Sequence, residues 1–144
     1  MNWKKFRQVG LDSNIFSYQF HQHPVFGPIS KQIFDLLSTD KLKAVTSFIT
    51  LTEILSVKAS PAKIKELEKL FLDTPNLNTF EVNQEIAVNA AKIRRKYGFR
   101  LPDAIQLATA KLNKAKAFIS NDERLKRFKE LNVILINEAY KLDS

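Results

Sequence analysis

The stretch LPDAIQLATAKLNKAKAFISND, residues 101–122, decides which fold the sequence predicts. Residues 101–114 predict a helix with Pro102 in its first turn, where the fixed φ of proline and its missing N–H are tolerated. Residues 117–120, AFIS, predict a short strand, and an acid, Asp122, follows that strand. The stretch is therefore a helix that leads into a strand and then into an acidic turn.

The same alternation of helices and strands extends on both sides of this stretch. Further strands are predicted at residues 8–13, 43–49, 77–82 and 132–137, and further helices at residues 27–40, 50–58, 61–74, 83–98 and 121–130. Such alternation predicts a three-layer α/β/α fold, in which helices cover both faces of a mainly parallel sheet of four to five strands. The length of 144 residues suits a single domain that spans residues 1–144.

Four acids lie where predicted strands end or predicted helices begin. Asp12 follows the first strand, Glu53 and Asp122 open helices that follow strands, and Asp103 lies in the first turn of the helix at 101–114. In open α/β sheets the site lies beyond the carboxyl ends of the strands, so we expect the four carboxylates to share one pocket.

Each acid also has a local explanation that the sequence leaves open. Asp12 could form an Asx turn, and Asp103 could complement the dipole of its own helix. The segments Thr50–Glu53 and Ser120–Glu123 both match a capping box, with the hydroxyl residue as N-cap and the glutamate reaching back to it.

Converging carboxylates predict a metal ion. At ~4 Å and an effective dielectric constant near 20, two like charges repel by roughly 4 kcal/mol, which a proton or a divalent cation relieves. The chain has no cysteine, and neither of its histidines is near an acid in the pattern, so the ligands would be oxygen atoms. Oxygen ligands favour Mg²⁺ or Mn²⁺ over Zn²⁺, and such ions can activate water for phosphodiester hydrolysis.

The charge balance favours a polyanionic partner. The net charge is +8, from 23 basic and 15 acidic residues, which predicts attraction to nucleic acid. The densest basic group precedes Asp103, and we expect it to contact an RNA backbone through Lys92, Arg95, Lys96 and Arg100. A solvated helix end that complements the dipole would explain the same pattern. His21 and His23 lack a third ligand and are expected in a solvated loop.

Nothing in the sequence predicts a membrane or secretory segment. The first ten residues, MNWKKFRQVG, contain lysines but no apolar h-region, and no apolar run is long enough to cross a bilayer. We therefore expect a cytoplasmic protein with no membrane partner.

Four motifs together resemble the PIN domain family: GLDSNIF at 10–16, TLTEIL at 50–55, LPDAIQLATA at 101–110 and FISNDERLKRF at 118–128. The family comprises metal-dependent ribonucleases and includes the VapC-type toxins of type II toxin–antitoxin modules. The resemblance implies an endoribonuclease dependent on Mg²⁺ or Mn²⁺, with RNA as substrate, an antitoxin as a partner and a homodimer as the assembly.

The resemblance also assigns roles to individual residues. Asp12, Glu53, Asp103 and Asp122 match the family's four site acids, as metal ligands or, for Glu53, as a base that positions water. Asn14 matches a polar residue that supports the site by hydrogen bonding. Ser120 matches a small hydroxyl residue that orients the pocket.

Two other functions compete with this prediction. A non-catalytic module that binds RNA or a protein partner is disfavoured, because such a binder has no reason to concentrate acids where phosphates approach. A phosphatase of the haloacid dehalogenase type is also disfavoured. That mechanism needs a second aspartate two residues after Asp12, where this chain has Asn14, and a motif lysine that the sequence lacks.

Overall fold

Five strands form one parallel sheet in the computed structural model, which describes residues 6–138. The strands are β1 (Gln8–Leu11), β2 (Lys43–Ser47), β3 (Leu77–Phe80), β4 (Ala117–Ser120) and β5 (Asn132–Leu135). Their order is β3-β2-β1-β4-β5, and every neighbouring pair is parallel. The predicted parallel sheet of four to five strands is confirmed. The strand order reverses beside β1, the position at which α/β sheets place their ligands.

Helices cover both faces of the sheet, which confirms the predicted three layers. The α-helices are α1 (Ser13–Phe20), α2 (Gly27–Ser38), α3 (Phe48–Leu55), α4 (Pro61–Leu72), α5 (Gln84–Tyr97) and α6 (Leu101–Leu112), and a 3₁₀ helix spans Glu123–Arg127. Residues 136–138, the last that the structure describes, are also helical. Side chains of α1 to α4 pack against one face of the sheet, and those of α5, α6 and the 3₁₀ helix pack against the other. No helix in this described part of the chain is both long and apolar enough to cross a membrane. Residues 1–5, half of the segment in which no signal peptide was expected, lie outside it.

The helix α1 was not predicted. It begins directly after β1 because the Asp12 carboxylate accepts a hydrogen bond from Ser13 N at 2.8 Å and caps the helix. Its inner face buries Ile15 and Phe16 in the core. Aromatic residues and serine are weak helix formers, so the segment carries little local helical signal and tertiary packing decides its conformation.

The strand predicted at residues 43–49 ends two residues early. Ser47 caps α3, with its Oγ accepting from Ile49 N at 3.1 Å, so Phe48 and Ile49 are helical. Ser47, and not Thr50, is therefore the N-cap, and the capping box predicted for Thr50–Glu53 is wrong. This shift moves Glu53 from the start of the helix into its second turn.

Close packing places α6 directly over β1. Residues Asp103–Ala110 of α6 are all buried. A Cβ added to Gly10 of β1 would lie 2.7 Å from Ala110 Cβ and 2.8 Å from Phe118 Cδ1, so only glycine permits this approach. The packing brings the first turn of α6, with Asp103, to the end of β1.

Candidate functional site

Three predicted acids meet at the carboxyl edge of the sheet. Asp12 directly follows β1, Glu53 lies in α3 after β2, and Asp103 lies in the first turn of α6. The negative charges of Asp103 and Glu53 both act on Asp12 and raise its pKa. The structure therefore brings Asp12, Glu53 and Asp103 together, although the first and the last are 91 positions apart in the sequence (103 − 12).

Asp12 is the most buried acid of the group, with 5% of its surface exposed. Its Oδ1 accepts from Ser13 N at 2.8 Å, and its Oδ2 accepts from Ser120 Oγ at 2.6 Å. Its pKa is raised to about 6, mainly by burial and further by the charges of Asp103 and Glu53, although the two hydrogen bonds oppose the rise. Near neutral pH the site thus holds a carboxylate that is costly to ionise.

Glu53 lies on the exposed side of the group of acids. The side chains of Ser13 and Gln106 both lower the pKa of Glu53, which does not fold back to cap its own helix. Partial desolvation is the main cause that raises the pKa of Glu53, and the charge of Asp103 raises it further. The positive charge of Arg100 opposes both effects.

Asp103 is buried, with 7% of its surface exposed. Its Oδ2 accepts from Arg100 Nε at 3.2 Å, and the Arg100 side chain itself remains 62% exposed. Asp103 also lies at the positive end of the α6 dipole. Asp103 therefore complements the dipole of its own helix and also lies beside the other site acids.

Asp122 lies at the margin of the site and is held by Arg124. It caps the 3₁₀ helix, accepting from Arg124 N at 3.0 Å, and it forms a two-point ion pair with the Arg124 guanidinium at 2.9 and 2.5 Å. This pairing is the main cause that lowers the pKa of Asp122. Because Asp122 is the cap, the capping box predicted with Ser120 as N-cap is wrong.

Ser120 joins Asp12, Asn14 and Asp122. Its Oγ donates to Asp12 Oδ2, accepts from Asp122 N at 3.0 Å, and lies 3.4 Å from the donor Asn14 Nδ2. The Asn14 Oδ1 is buried and has no hydrogen-bond partner among residues 6–138. A buried acceptor without a donor, beside desolvated carboxylates, suits a cation or its bound water.

The oxygen atoms at the site suit Mg²⁺ or Mn²⁺, which keep bound water, better than an ion that the protein encloses completely. Within residues 6–138 no three acidic or histidine side chains form a preassembled metal cluster. Mg²⁺ usually takes only one or two carboxylates and keeps several waters, so a looser group of oxygen atoms is sufficient for it. The acids are close enough to repel one another, and a bound cation would relieve that repulsion.

Basic side chains surround the acids unequally. Arg100 is within the electrostatic range of Glu53 and Asp122, because its charge lowers the pKa of each. Lys92, Arg95 and Lys96 are exposed on α5, and Lys96 Nζ lies 3.7 Å from Glu130 Oε2. Of the four predicted RNA contacts, only Arg100 is thus tied to the acids by a described interaction.

His21 and His23 lie between α1 and α2, in a loop as predicted. His21 is exposed. His23 has a structural role that was not predicted: its Nδ1 accepts from Val25 N at 3.1 Å and from Phe26 N at 3.0 Å, and its ring stacks on Phe26. These contacts order the loop and leave Nδ1 no lone pair for a metal.

Two residues that act on Glu53 were missed in the sequence: the side chains of Ser13 and Gln106 lower its pKa. Gln106 carried a usable signal, since it is a polar residue in the apolar run AIQLATA and lies one helical turn after Asp103. A buried amide must find hydrogen-bond partners, and here they lie at the site. Ser13 carried no such signal, because a serine after an aspartate is ordinary turn composition.

Known proteins resemble the chain in sequence pattern and in fold. A family model described as the PIN domain matches residues 9–131. One similar structure is VapBC2 from Rickettsia felis bound to a DNA fragment from its promoter, with a TM-score of 0.71, 18% identity, and coverage of 89% of this chain and 98% of that one. DNA-bound VapBC from Salmonella typhimurium has a TM-score of 0.70, 15% identity, and coverage of 90% and 98%.

A toxin–antitoxin complex from Klebsiella pneumoniae is also similar, with a TM-score of 0.67, 25% identity, and coverage of 89% of this chain and 97% of that one. No curated protein sequence matches the chain.

Proposed function

Because the chain belongs to the PIN domain family, we propose that it is a divalent-metal-dependent endoribonuclease that hydrolyses RNA phosphodiester bonds. The observation that carries this proposal is the meeting of Asp12, Glu53 and Asp103 at the carboxyl end of β1, where burial and mutual repulsion raise the pKa of Asp12. A site without a catalytic or metal-binding task would gain stability by replacing such acids with apolar residues.

In the proposed site, Asp12, Asp103 and Asp122 would hold Mg²⁺ or Mn²⁺, directly or through water, and Glu53 would act as a further ligand or position the attacking water. The bound ion would supply activation of water and stabilisation of the leaving oxygen. Ser120 would fix the orientation of the Asp12 carboxylate through its 2.6 Å hydrogen bond. The Asn14 Oδ1 would accept from a water bound beside Asp12.

The proposed biological role is that of the toxin in a type II toxin–antitoxin pair. The similar structures are toxin–antitoxin complexes, and this chain covers 97% to 98% of the matched chain in the three described above. We propose an antitoxin partner, a homodimer and a location in the cytoplasm, with the single nuclease domain spanning residues 1–144. The phosphatase alternative loses its support with PIN membership, whereas a non-catalytic binding module remains the outcome to exclude by assay.

Metal removal tests the proposed activity directly. Incubation with a structured RNA is expected to give discrete internal cleavage products with Mn²⁺ and none with excess EDTA, because the oxygen ligands alone cannot activate water at neutral pH. Products are read on a sequencing gel, and re-addition of Mn²⁺ should restore them. RNA binding without cleavage under every metal condition would favour the non-catalytic module.

Charge reversal on α5 tests the proposed RNA contact. The double substitution Arg95→Glu/Lys96→Glu is expected to lower RNA affinity roughly tenfold at ~0.1 M salt and to flatten the salt dependence of binding, because phosphate contacts release counterions. Binding is measured in EDTA, where no cleavage occurs.

The matched control is Lys58→Glu/Lys65→Glu, which changes the net charge equally at two exposed lysines, one before α4 and one within it. An equal loss of affinity in both doubles would mean that net charge, and not a contact at α5, causes the effect.

A further inference from the structure

A buried network of polar side chains connects the elements that carry the site. Its members are Thr46 at the end of β2, Thr50 in α3 and Gln106 in α6, all at most 2% exposed. Gln106 Oε1 accepts from Ser47 N at 3.2 Å, and Gln106 Nε2 donates to Thr50 Oγ1. The Thr50 and Thr46 hydroxyls are 2.7 Å apart.

The network ends at the backbone beside Asp12. Thr46 Oγ1 lies 3.1 Å from the carbonyl oxygen of Leu11, the residue that precedes Asp12. Thr50 lies one helical turn before Glu53, and Gln106 lies one turn after Asp103. Glu53 and Asp103 are thus one turn from a member of the network, and Asp12 is next to the residue whose carbonyl Thr46 contacts.

The donor and the acceptor of each hydrogen bond in the network can be assigned from its chemistry. The N–H of Ser47 can only donate, so the Gln106 oxygen faces it and the amide nitrogen faces α3. That nitrogen donates to Thr50 Oγ1, and the Gln106 side chain also lowers the pKa of Glu53. Thr50 can then donate its single proton to Thr46, which donates to the Leu11 carbonyl.

Apolar side chains could fill this part of the core at a lower cost in free energy. Buried polar networks cost free energy whenever one member is unsatisfied, and apolar residues of the same shape avoid that risk. Two apolar clusters, one on each face of the sheet, already pack these elements together. The position of the network, under three acids that repel one another, suggests what it adds.

We propose that Gln106, Thr50 and Thr46 are positioning residues that hold Asp12, Glu53 and Asp103 at the separation a divalent cation requires. This inference rests on the proposed function. Gln106 acts by joining α6, which carries Asp103, to the start of α3, which carries Glu53. The two threonines act by locking the amide orientation and the end of β1.

Mn²⁺ affinity, measured by calorimetry without RNA, tests this role. Gln106→Leu and Thr50→Val are each expected to weaken Mn²⁺ binding by about tenfold, the usual effect of losing a residue that orients a metal ligand. Thr50→Ser, which keeps the hydroxyl, should bind Mn²⁺ as the parent does. Comparison of Thr50→Val with Thr50→Ser therefore tests the inference even if Gln106→Leu does not fold.

The matched control is Thr109→Val. Thr109 is a fully buried threonine of α6 whose hydroxyl donates to Ile105 O of the same helix and not to the network. We expect Thr109→Val to lose stability like Thr50→Val but to keep its Mn²⁺ affinity. Equal Mn²⁺ affinity in Thr50→Val, Gln106→Leu and the parent would overturn the inference alone. A parent protein that binds no Mn²⁺ would overturn both the inference and the proposed function.

Discussion

Asp12→Asn is expected to lower Mn²⁺-dependent RNA cleavage by about 10³-fold, because the amide removes the charge of the most buried ligand while keeping its shape. The asparagine oxygen can still accept from Ser13 N, so α1 keeps its cap and the fold is retained. Initial rates at saturating Mn²⁺ measure the effect, with circular dichroism as the check on folding.

The control for this substitution is Asp35→Asn. Asp35 lies on α2, where its Oδ2 pairs with Lys31 Nζ at 2.8 Å and its side chain is 61% exposed. Asp35→Asn changes the net charge by the same amount as Asp12→Asn, yet its rate of cleavage should equal that of the parent. Undiminished cleavage by folded Asp12→Asn would remove Asp12 from the mechanism.

The second large effect is a pH-dependent loss of unfolding free energy that the Asp12 carboxylate causes in the protein without metal. Its pKa is about 6 in the folded state, against ~3.9 in an unfolded chain. A raised carboxyl pKa contributes stability that is complete below pH ~3.9 and is lost as the pH rises through about 6. Full ionisation therefore costs about 3 kcal/mol of unfolding free energy.

Urea unfolding in EDTA at pH 4 to 8 measures this cost. Asp12→Asn should be more stable than the parent by up to about 3 kcal/mol at pH 8, with the difference vanishing near pH 4. The raised pKa of Glu53 and the lowered pKa of Asp122 also make stability depend on pH, but both acids remain in the variant and largely cancel in the comparison.

Mn²⁺ should reverse the order of stabilities. A ligand that binds only the folded state at about 100 times its Kd adds ~2.7 kcal/mol, and the parent should gain this while Asp12→Asn gains little. A stability difference that grows toward low pH, or an equal gain from Mn²⁺ in both proteins, would contradict the assignment of Asp12 as a buried ligand.

Predictions that depend on patterns along the chain succeeded. The β-branched and apolar runs located all five strands to within two residues, Pro102 correctly indicated the start of α6, and the helix predicted to end at residue 98 ends at Tyr97. These signals arise within a few residues, where sterics and the backbone dihedral angles act. Gly98, for example, adopts φ 73°, which side chains other than glycine rarely accept.

Predictions that depend on choosing among equivalent polar residues failed. Ser47 and Thr50 can both cap a helix, and only the packing of β2 and α6 leaves Ser47 at the boundary and buries Thr50 in the network. Asp122 and Ser120 present the same choice before the 3₁₀ helix. Local chemistry is equal within each pair, so contacts with distant residues decide between them.

The sequence by itself determined that acids from distant segments gather at one edge, because parallel strands joined by helices all end on the same side of a sheet. It did not determine how deep each acid lies or what holds it. The hydrogen bonds from Ser120 to the buried Asp12 and from Gln106 to Thr50 join side chains 108 and 56 residues apart. Desolvation and hydrogen-bond geometry exist only once those side chains have packed.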